Sequence, residues 1–250
     1  MLKNLSPYFF KDYPLFKAQK VEKISRLKTQ GHCNVNYVIQ TDSKKYLLRQ
    51  FKYQRDRKSE FQIQNLAHKK RVGAKALLLD ETKQLMICEF IEGEHRQKLK
   101  QKNLKKLAIL LRKFHKIKIR QQPNDFRNAF TYKDKKAQEA LKLIKRFKPE
   151  YVLGHNDLHS KNILFGKTIQ LIDWEYAGKT DRYFDLASII IEFKLNKADE
   201  KTFLYNYFLR HERVNFKKLE AFKVVYKILW KVWFEKLERG EMDELEQKVL

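Results

Sequence analysis

The sequence is poor in residues that bend or cross-link a chain: 7 glycines, 4 prolines and 2 cysteines in 250 residues. Cys33 and Cys88 cannot build a disulfide framework and fit a reducing compartment. No internal repeat or low-complexity linker is present. No apolar run reaches the roughly 18 residues that span a bilayer. The segment Met1–Pro7 lacks the apolar stretch of a secretory signal, so the expected location is cytoplasmic. What the chain does have is aromatic content. With 18 Phe, 12 Tyr and 3 Trp and 43% hydrophobic residues, it has the means to bury a core. Its length suits one two-lobed domain or two small ones.

Acidic residues are scarce: 30 Asp and Glu against 55 Lys and Arg leave a formal charge of +25. Residues 1–120 carry 30 basic and 10 acidic side chains, and residues 121–250 carry 25 and 20. A basic half beside a nearly neutral one fits a polyanion, either a nucleic acid or a nucleotide triphosphate. A nucleic-acid-binding basic protein is therefore one hypothesis, although no nucleic-acid motif or aromatic-interleaved basic stripe supports it. Solvated lysine faces are the first explanation of the charge, since Lys is spread throughout the chain with no basic tail or Arg-rich arm.

The segments 21–28, 35–40, 46–51, 77–79 and 85–91 read as strands. Residues 57–71 read as a helix ending near Gly73, with Phe61, Ile63, Leu66 and Ala67 apolar. After residue 92 the pattern turns helical. Asn103 is the expected N-cap of a helix through Leu107, Leu110, Leu111, Phe114 and Ile117. A second helix is expected over 133–147, then short strands and loops over 151–178, then helices to the end. This gives an α+β chain with a sheet lobe over 1–91 and a mainly helical lobe over 92–250.

Chemistry concentrates in His155-Asn156-Asp157-Leu158-His159-Ser160-Lys161-Asn162 and Ile172-Asp173-Trp174-Glu175-Tyr176. Short apolar runs flank both, as expected of a loop pinned by buried strands. Asp157 and Asn162 are expected to project from the loop and Asp173 to end a strand, and two oxygen ligands beside a substrate phosphate suit Mg²⁺. The Asp157 carboxylate can accept the proton of an attacking hydroxyl. His155 and His159 also resemble zinc ligands, but no third His or Cys lies nearby. Gly166-Lys167-Thr168 resembles the tail of a P-loop, yet position 161 is lysine where that pattern needs glycine.

These motifs resemble the choline/ethanolamine kinase and aminoglycoside phosphotransferase superfamily. The resemblance implies a protein-kinase-like two-lobed fold with an antiparallel N-terminal sheet, using ATP and Mg²⁺. Gly31-His32-Cys33-Asn34-Val35-Asn36-Tyr37 is similar to the family's nucleotide loop, with Cys33 where a hydroxyl residue is usual. Gly31, His32, Cys33, Asn34 and Asn36 are thereby implied in nucleotide binding. Arg49 is implied on the phosphates, paired with Glu60, and Glu89 to Ile91 form the segment holding adenine. Asp157 is the implied base, Asn162 and Asp173 the metal ligands, and His155 and Asp185 braces of the loop.

Tyr176, Glu192, Tyr226, Trp230 and Trp233 resemble a choline kinase's cation pocket, since aromatic faces and negative charge are what recognise a quaternary ammonium. Helical spacing of such aromatics is equally the pattern of core packing. The expected activity is transfer of the γ-phosphate of ATP to a small cationic alcohol, choline first. Ethanolamine, thiamine and aminoglycosides are alternative acceptors. The acidic residues Glu235, Glu238, Glu241, Asp243, Glu244 and Glu246 keep the polycationic acceptors open.

Overall fold

The structure is a computed structural model describing residues 5–28, 30, 31, 33–53, 57–125, 129, 130 and 134–239. The chain divides into two compact units, Met1–Gly93 and Glu94–Leu250. The first unit holds an antiparallel five-stranded sheet of β1 (Val21–Arg26), β2 (Asn34–Thr41), β3 (Lys45–Phe51), β4 (Ala76–Asp80) and β5 (Leu85–Glu89). The strands run in the order β1-β2-β3-β5-β4, with helix α1 (Arg57–Lys69) between β3 and β4.

Side chains alternate across the sheet, so the strands β3, β4 and β5 feed two cores. Tyr46, Leu48, Leu85 and Ile87 face one way and meet Phe10, Tyr13 and Phe16. Phe10 and Phe16 come from short 3-10 turns at Pro7–Phe10 and Pro14–Phe16, and Tyr13 caps the second, a cover the sequence reading did not anticipate. Phe51, Ala76, Met86 and Cys88 form the opposite core, with Leu47 and Phe61 packed against it. Arg49 shares the period of Leu47 and therefore projects toward α1.

Helix α1 stops at Lys69. The left-handed residue that ends it is Arg71, φ 55°, rather than Gly73.

The second unit contains α2 (Gln101–His115), α3 (Lys135–Ile144), α4 (Arg182–Glu192), α5 (Lys197–Tyr207) and α6 (Phe216–Arg239). Two small antiparallel pairs sit among them. β6 (Tyr151–Gly154) pairs with β9 (Gly178–Asp181), and β7 (Ile163–Phe165) with β8 (Ile169–Leu171). Helix α2 packs on α5, while α3 and α4 pack on α6. Asn103 is not the N-cap of α2. The cap lies three residues earlier, at an extended Lys100 whose side chain makes no cap bond. Helix α3 is shorter than expected, because the Arg146 and Phe147 amides tighten onto the i−3 carbonyls of Leu143 and Ile144. Gly166-Lys167-Thr168 is the turn joining β7 to β8, closed by the Gly166 amide on the Thr168 carbonyl (3.1 Å). Among the described residues, no helix is long and apolar enough to cross a membrane.

Candidate active site

The loop 155–162 runs from β6 to β7, and both its ends are fixed. At its start, the His155 and Asn156 amides donate to Asp185 Oδ2 and Oδ1, at 2.7 and 2.9 Å. Asp185 lies fully buried in the first turn of α4. Burial alone would raise its pKa, but the hydrogen bond from His115 and the neighbouring imidazoles hold it below the usual carboxylate value. At the far end, the Ile172 amide donates to the Asn162 carbonyl (3.0 Å), which brings Asp173 beside the loop.

Gly154 permits the tight approach of β6 to β9. A Cβ there would lie 2.2 Å from Thr180 Cγ2. Asn156 (φ 64°) and Asp173 (φ 66°) both occupy the left-handed region, which Asn and Asp tolerate better than other side chains.

His155 is wholly buried, with Nε2 on the Ile172 carbonyl (3.0 Å) and its ring against Trp174 at 4.9 Å. Burial lowers its pKa, so it is a neutral packing element. Trp174 is core, packed in turn on Phe114.

Asn162 Nδ2 donates to the Asp157 carbonyl (2.9 Å) and to Asp157 Oδ2 (2.7 Å). This bond turns the amide carbonyl of Asn162 away from the Asp157 carboxylate. The other carboxylate oxygen, Asp157 Oδ1, is buried without a hydrogen-bond partner. Burial first, then the charges of Asp173 and Glu175, push the Asp157 pKa well above an ordinary aspartate. An orphaned buried oxygen amid negative charge suits a proton or a cation. The Asn162 carbonyl and the Asp173 carboxylate are hard oxygen donors of the type Mg²⁺ takes. They fit a metal that draws its remaining ligands from phosphate and water. Among the described residues, no group of three or more His, Cys, Asp or Glu side chains is placed to hold a metal ion.

Tyr176, Glu192, Tyr226, Trp230 and Trp233 do not present themselves alike. Glu192, at the end of α4, is half-buried, and burial raises its pKa above that of a free glutamate. Tyr226 donates to Glu192 Oε1 at 3.0 Å. The ring of Tyr226 was expected to face a substrate, but it is 1% exposed and packs on Phe184. Trp230 and Trp233 are only partly buried, with ring centroids 5.3 Å apart, and Phe234 lies 5.6 Å from Trp230. His159 meets Trp230 edge-on at 6.0 Å, which ties this aromatic group to the loop. Tyr176 is half-buried, and its carbonyl accepts from Asn156 Nδ2 (2.9 Å).

In the first unit, Arg49 on β3 and Glu60 in the first turn of α1 form a buried ion pair. Arg57, which the sequence reading passed over, binds the other oxygen of Glu60 at 2.8 Å and stacks on Phe51. Gly31 is exposed, and a Cβ there would meet nothing. Cys33 is buried, and its carbonyl accepts from the Lys52 amide at 3.0 Å. Asn34 is buried at the start of β2, and Asn36 pairs with Arg49 across the sheet. His32 lies outside the described residues, as do the acidic residues 241–246. The Glu89 amide already donates to the Lys75 carbonyl (2.9 Å), which limits what 89–91 can offer a base. Ile91 is half-buried.

His115 and Tyr207 complete the site's support, and no local pattern marks them. His115 Nε2 lies 3.0 Å from Asp185 Oδ2, and His115 Nδ1 lies 2.6 Å from the Tyr207 hydroxyl. Helices α2 and α5 thus brace the aspartate that braces the loop.

Protein LicA of Haemophilus influenzae is 34% identical over 96 residues, 35% of this chain and 36% of that protein. The chain spans only about a third of the length of the two curated LicA relatives of that species, 36% and 28%. Choline kinase LicA from Streptococcus pneumoniae superposes with a TM-score of 0.75 at 20% identity, over 91% of this chain and 93% of that one. An ethanolamine kinase of Plasmodium vivax gives 0.73 at 20% identity, over 88% and 77%. These likenesses establish a kinase-like fold. The sequence pattern of the phosphotransferase enzyme family (APH) matches residues 26–222, most of the chain. The chain belongs to the phosphotransferase enzyme family.

Proposed function

We propose that this protein transfers the γ-phosphate of ATP to the hydroxyl of a small cationic alcohol, and that choline is the acceptor. One observation carries the reading. The unpartnered Asp157 oxygen sits in a field set by Asp173, Glu175 and Glu192, and His159 links its loop to the Trp230–Trp233 rings. A buried base beside negative charge and aromatic faces is what an alcohol bearing a quaternary ammonium requires. Choline is favoured over ethanolamine because Tyr226 already occupies one Glu192 oxygen. A primary ammonium, with three donors to satisfy, loses more from that than a quaternary one. The solved relatives that are a choline kinase and an ethanolamine kinase support the same class of acceptor.

In this mechanism Asp157 takes the hydroxyl proton as the oxygen attacks phosphorus. Asn162 and Asp173 would hold Mg²⁺, which when bound neutralises charge on the phosphate oxygens. Arg49 would contact the nucleotide phosphates, kept in place by Glu60, and Arg57 would secure Glu60 in turn. Gly31, Cys33, Asn34 and Asn36 would line the nucleotide loop, and residues 89–91 would meet adenine. Little covalent work falls to the protein, so positioning and charge supply most of the rate. We place the reaction in the cytoplasm, consistent with two cysteines buried as thiols.

An ADP-release assay with choline, ethanolamine, thiamine and aminoglycosides tests the assignment. Choline should give the highest kcat/KM, and a tenfold preference for another acceptor would replace it. Trp230→Ala should raise the KM for choline by about 2- to 30-fold, the range expected of one cation–π contact, with the KM for ATP unchanged. Equal effects on both would remove the aromatic group from the acceptor site.

Glu192 adds a pH signature. Its carboxylate attracts the cation only when ionised, and its raised pKa means that protonation begins at higher pH than for an exposed glutamate. The acceptor KM should therefore climb as pH falls from neutral toward that pKa. Glu192→Gln should start with a higher KM and lose the dependence.

A further inference from the structure

His159 has so far served only as a link. It opens the 3-10 turn Ser160–Asn162, where the Lys161 amide donates to His159 Nδ1 at 3.2 Å. A backbone N–H pointing at Nδ1 requires a lone pair there, so the ring proton resides on Nε2. Nε2 in turn lies 3.6 Å from Asp157 Oδ1, too far for a direct hydrogen bond. That oxygen is the unpartnered one, since Asn162 takes Oδ2. The structure therefore leaves a donor and an acceptor side by side, neither satisfying the other, next to the Trp230 ring.

We propose that His159 is a second ligand of the acceptor hydroxyl, which donates to Asp157 Oδ1 while accepting from His159 Nε2–H. The proposal rests on the phosphotransferase reading above. An oxygen about 2.8 Å from each atom spans a 3.6 Å gap. A hydroxyl oxygen has two lone pairs, so His159 can hold one while the other faces phosphorus. In the transfer step the acceptor oxygen bonds to the γ-phosphorus. The bond from that phosphorus to the β–γ bridging oxygen breaks, and its electron pair leaves with ADP. The hydroxyl proton passes to Asp157 Oδ1, and His159 keeps its own proton throughout. The imidazole thus fixes which lone pair attacks, and it selects for alcohols. A neutral amine has one lone pair and cannot both accept from His159 and reach phosphorus.

Steady-state kinetics of His159→Phe, His159→Asn and His159→Gln with choline and ATP test this. Phe keeps the contact with Trp230 but loses the donor. Asn keeps an acceptor for the Lys161 amide but does not reach Asp157. Gln carries a side-chain N–H at about the Nε2 position. Phe and Asn should each lose about 10²-fold in kcat, the scale of one oriented hydrogen bond at a reacting oxygen, with the KM for ATP unchanged. Gln should recover to within tenfold of the native rate. The proposal fails if Asn or Phe retains native turnover, or if Gln is as impaired as Phe. An unfolded Phe variant leaves the Asn–Gln comparison to decide. No acceptor-dependent ADP release from the native protein would instead overturn the phosphotransferase reading itself.

Discussion

Asp157→Asn should lower kcat by about 10²- to 10⁴-fold, the usual contribution of a positioned general base, while the protein remains folded. The substitution preserves shape and the Asn162 contact but removes the proton acceptor. Stability should move the other way. Burial and neighbouring carboxylates raise the Asp157 pKa in the folded protein. The native state therefore holds that proton more tightly than the unfolded chain does. Stability contributed by the protonated carboxyl is full below the unfolded pKa of about 3.9 and is lost as pH rises through the folded value. At neutral pH, without metal or nucleotide, the asparagine variant should melt at the same temperature or a few degrees higher, a gain on the order of 1 kcal/mol. The difference should vanish in acid. Near-native turnover would remove Asp157 from the chemistry, and a lower melting temperature would recast it as a structural residue.

The second large effect concerns Asp185. Its two oxygens accept the His155 and Asn156 amides and pair with His115. Asp185→Ala strands two buried donors and breaks a buried imidazole–carboxylate pair. The expected loss is about 3–5 kcal/mol, with a melting temperature lower by about 10 °C, together with impaired turnover as the loop loses its anchor. Here the linkage has the opposite sign. The Asp185 pKa is depressed in the folded state, so its contribution is present above about pH 4 and fades as pH falls through the folded value. The gap between native and variant should narrow in acid. A variant as stable as the native protein at pH 7 would show that other contacts hold the loop.

The parts of this site that were legible in the sequence are those made by short-range chemistry. Asp157 and Asn162 are five residues apart in one loop, and Asp173 follows the next strand pair, so a single stretch displays all three. The five strands of the first unit were legible for a similar reason, because alternation is written into each segment. Arg57 was passed over because its charge looked like any other on a lysine-rich helix start, and only the fold turns it onto Glu60. His115 and Tyr207 lie 70 residues before and 22 after Asp185, and no spacing rule joins three helices. Asn103 failed as an N-cap because the extended residue before α2 is Lys100. Tyr226 shared its helical period with Trp230, but a period identifies a stripe, not which of its rings reach solvent. The aromatic turns ahead of β1 escaped because a core made by irregular backbone has no period to read.

The carboxylates gathered near Asp157 also bear on what happens after the reaction. Under the proposed function, Asp173, Glu175 and Glu192 would draw a positively charged alcohol inward, yet the phosphate ester that leaves would carry negative charge of its own. Once ADP and any bound cation depart, that same surrounding repels the newly formed ester. Product escape would then be assisted by the field that recruited the reactant, with no lid or hinge required to expel it.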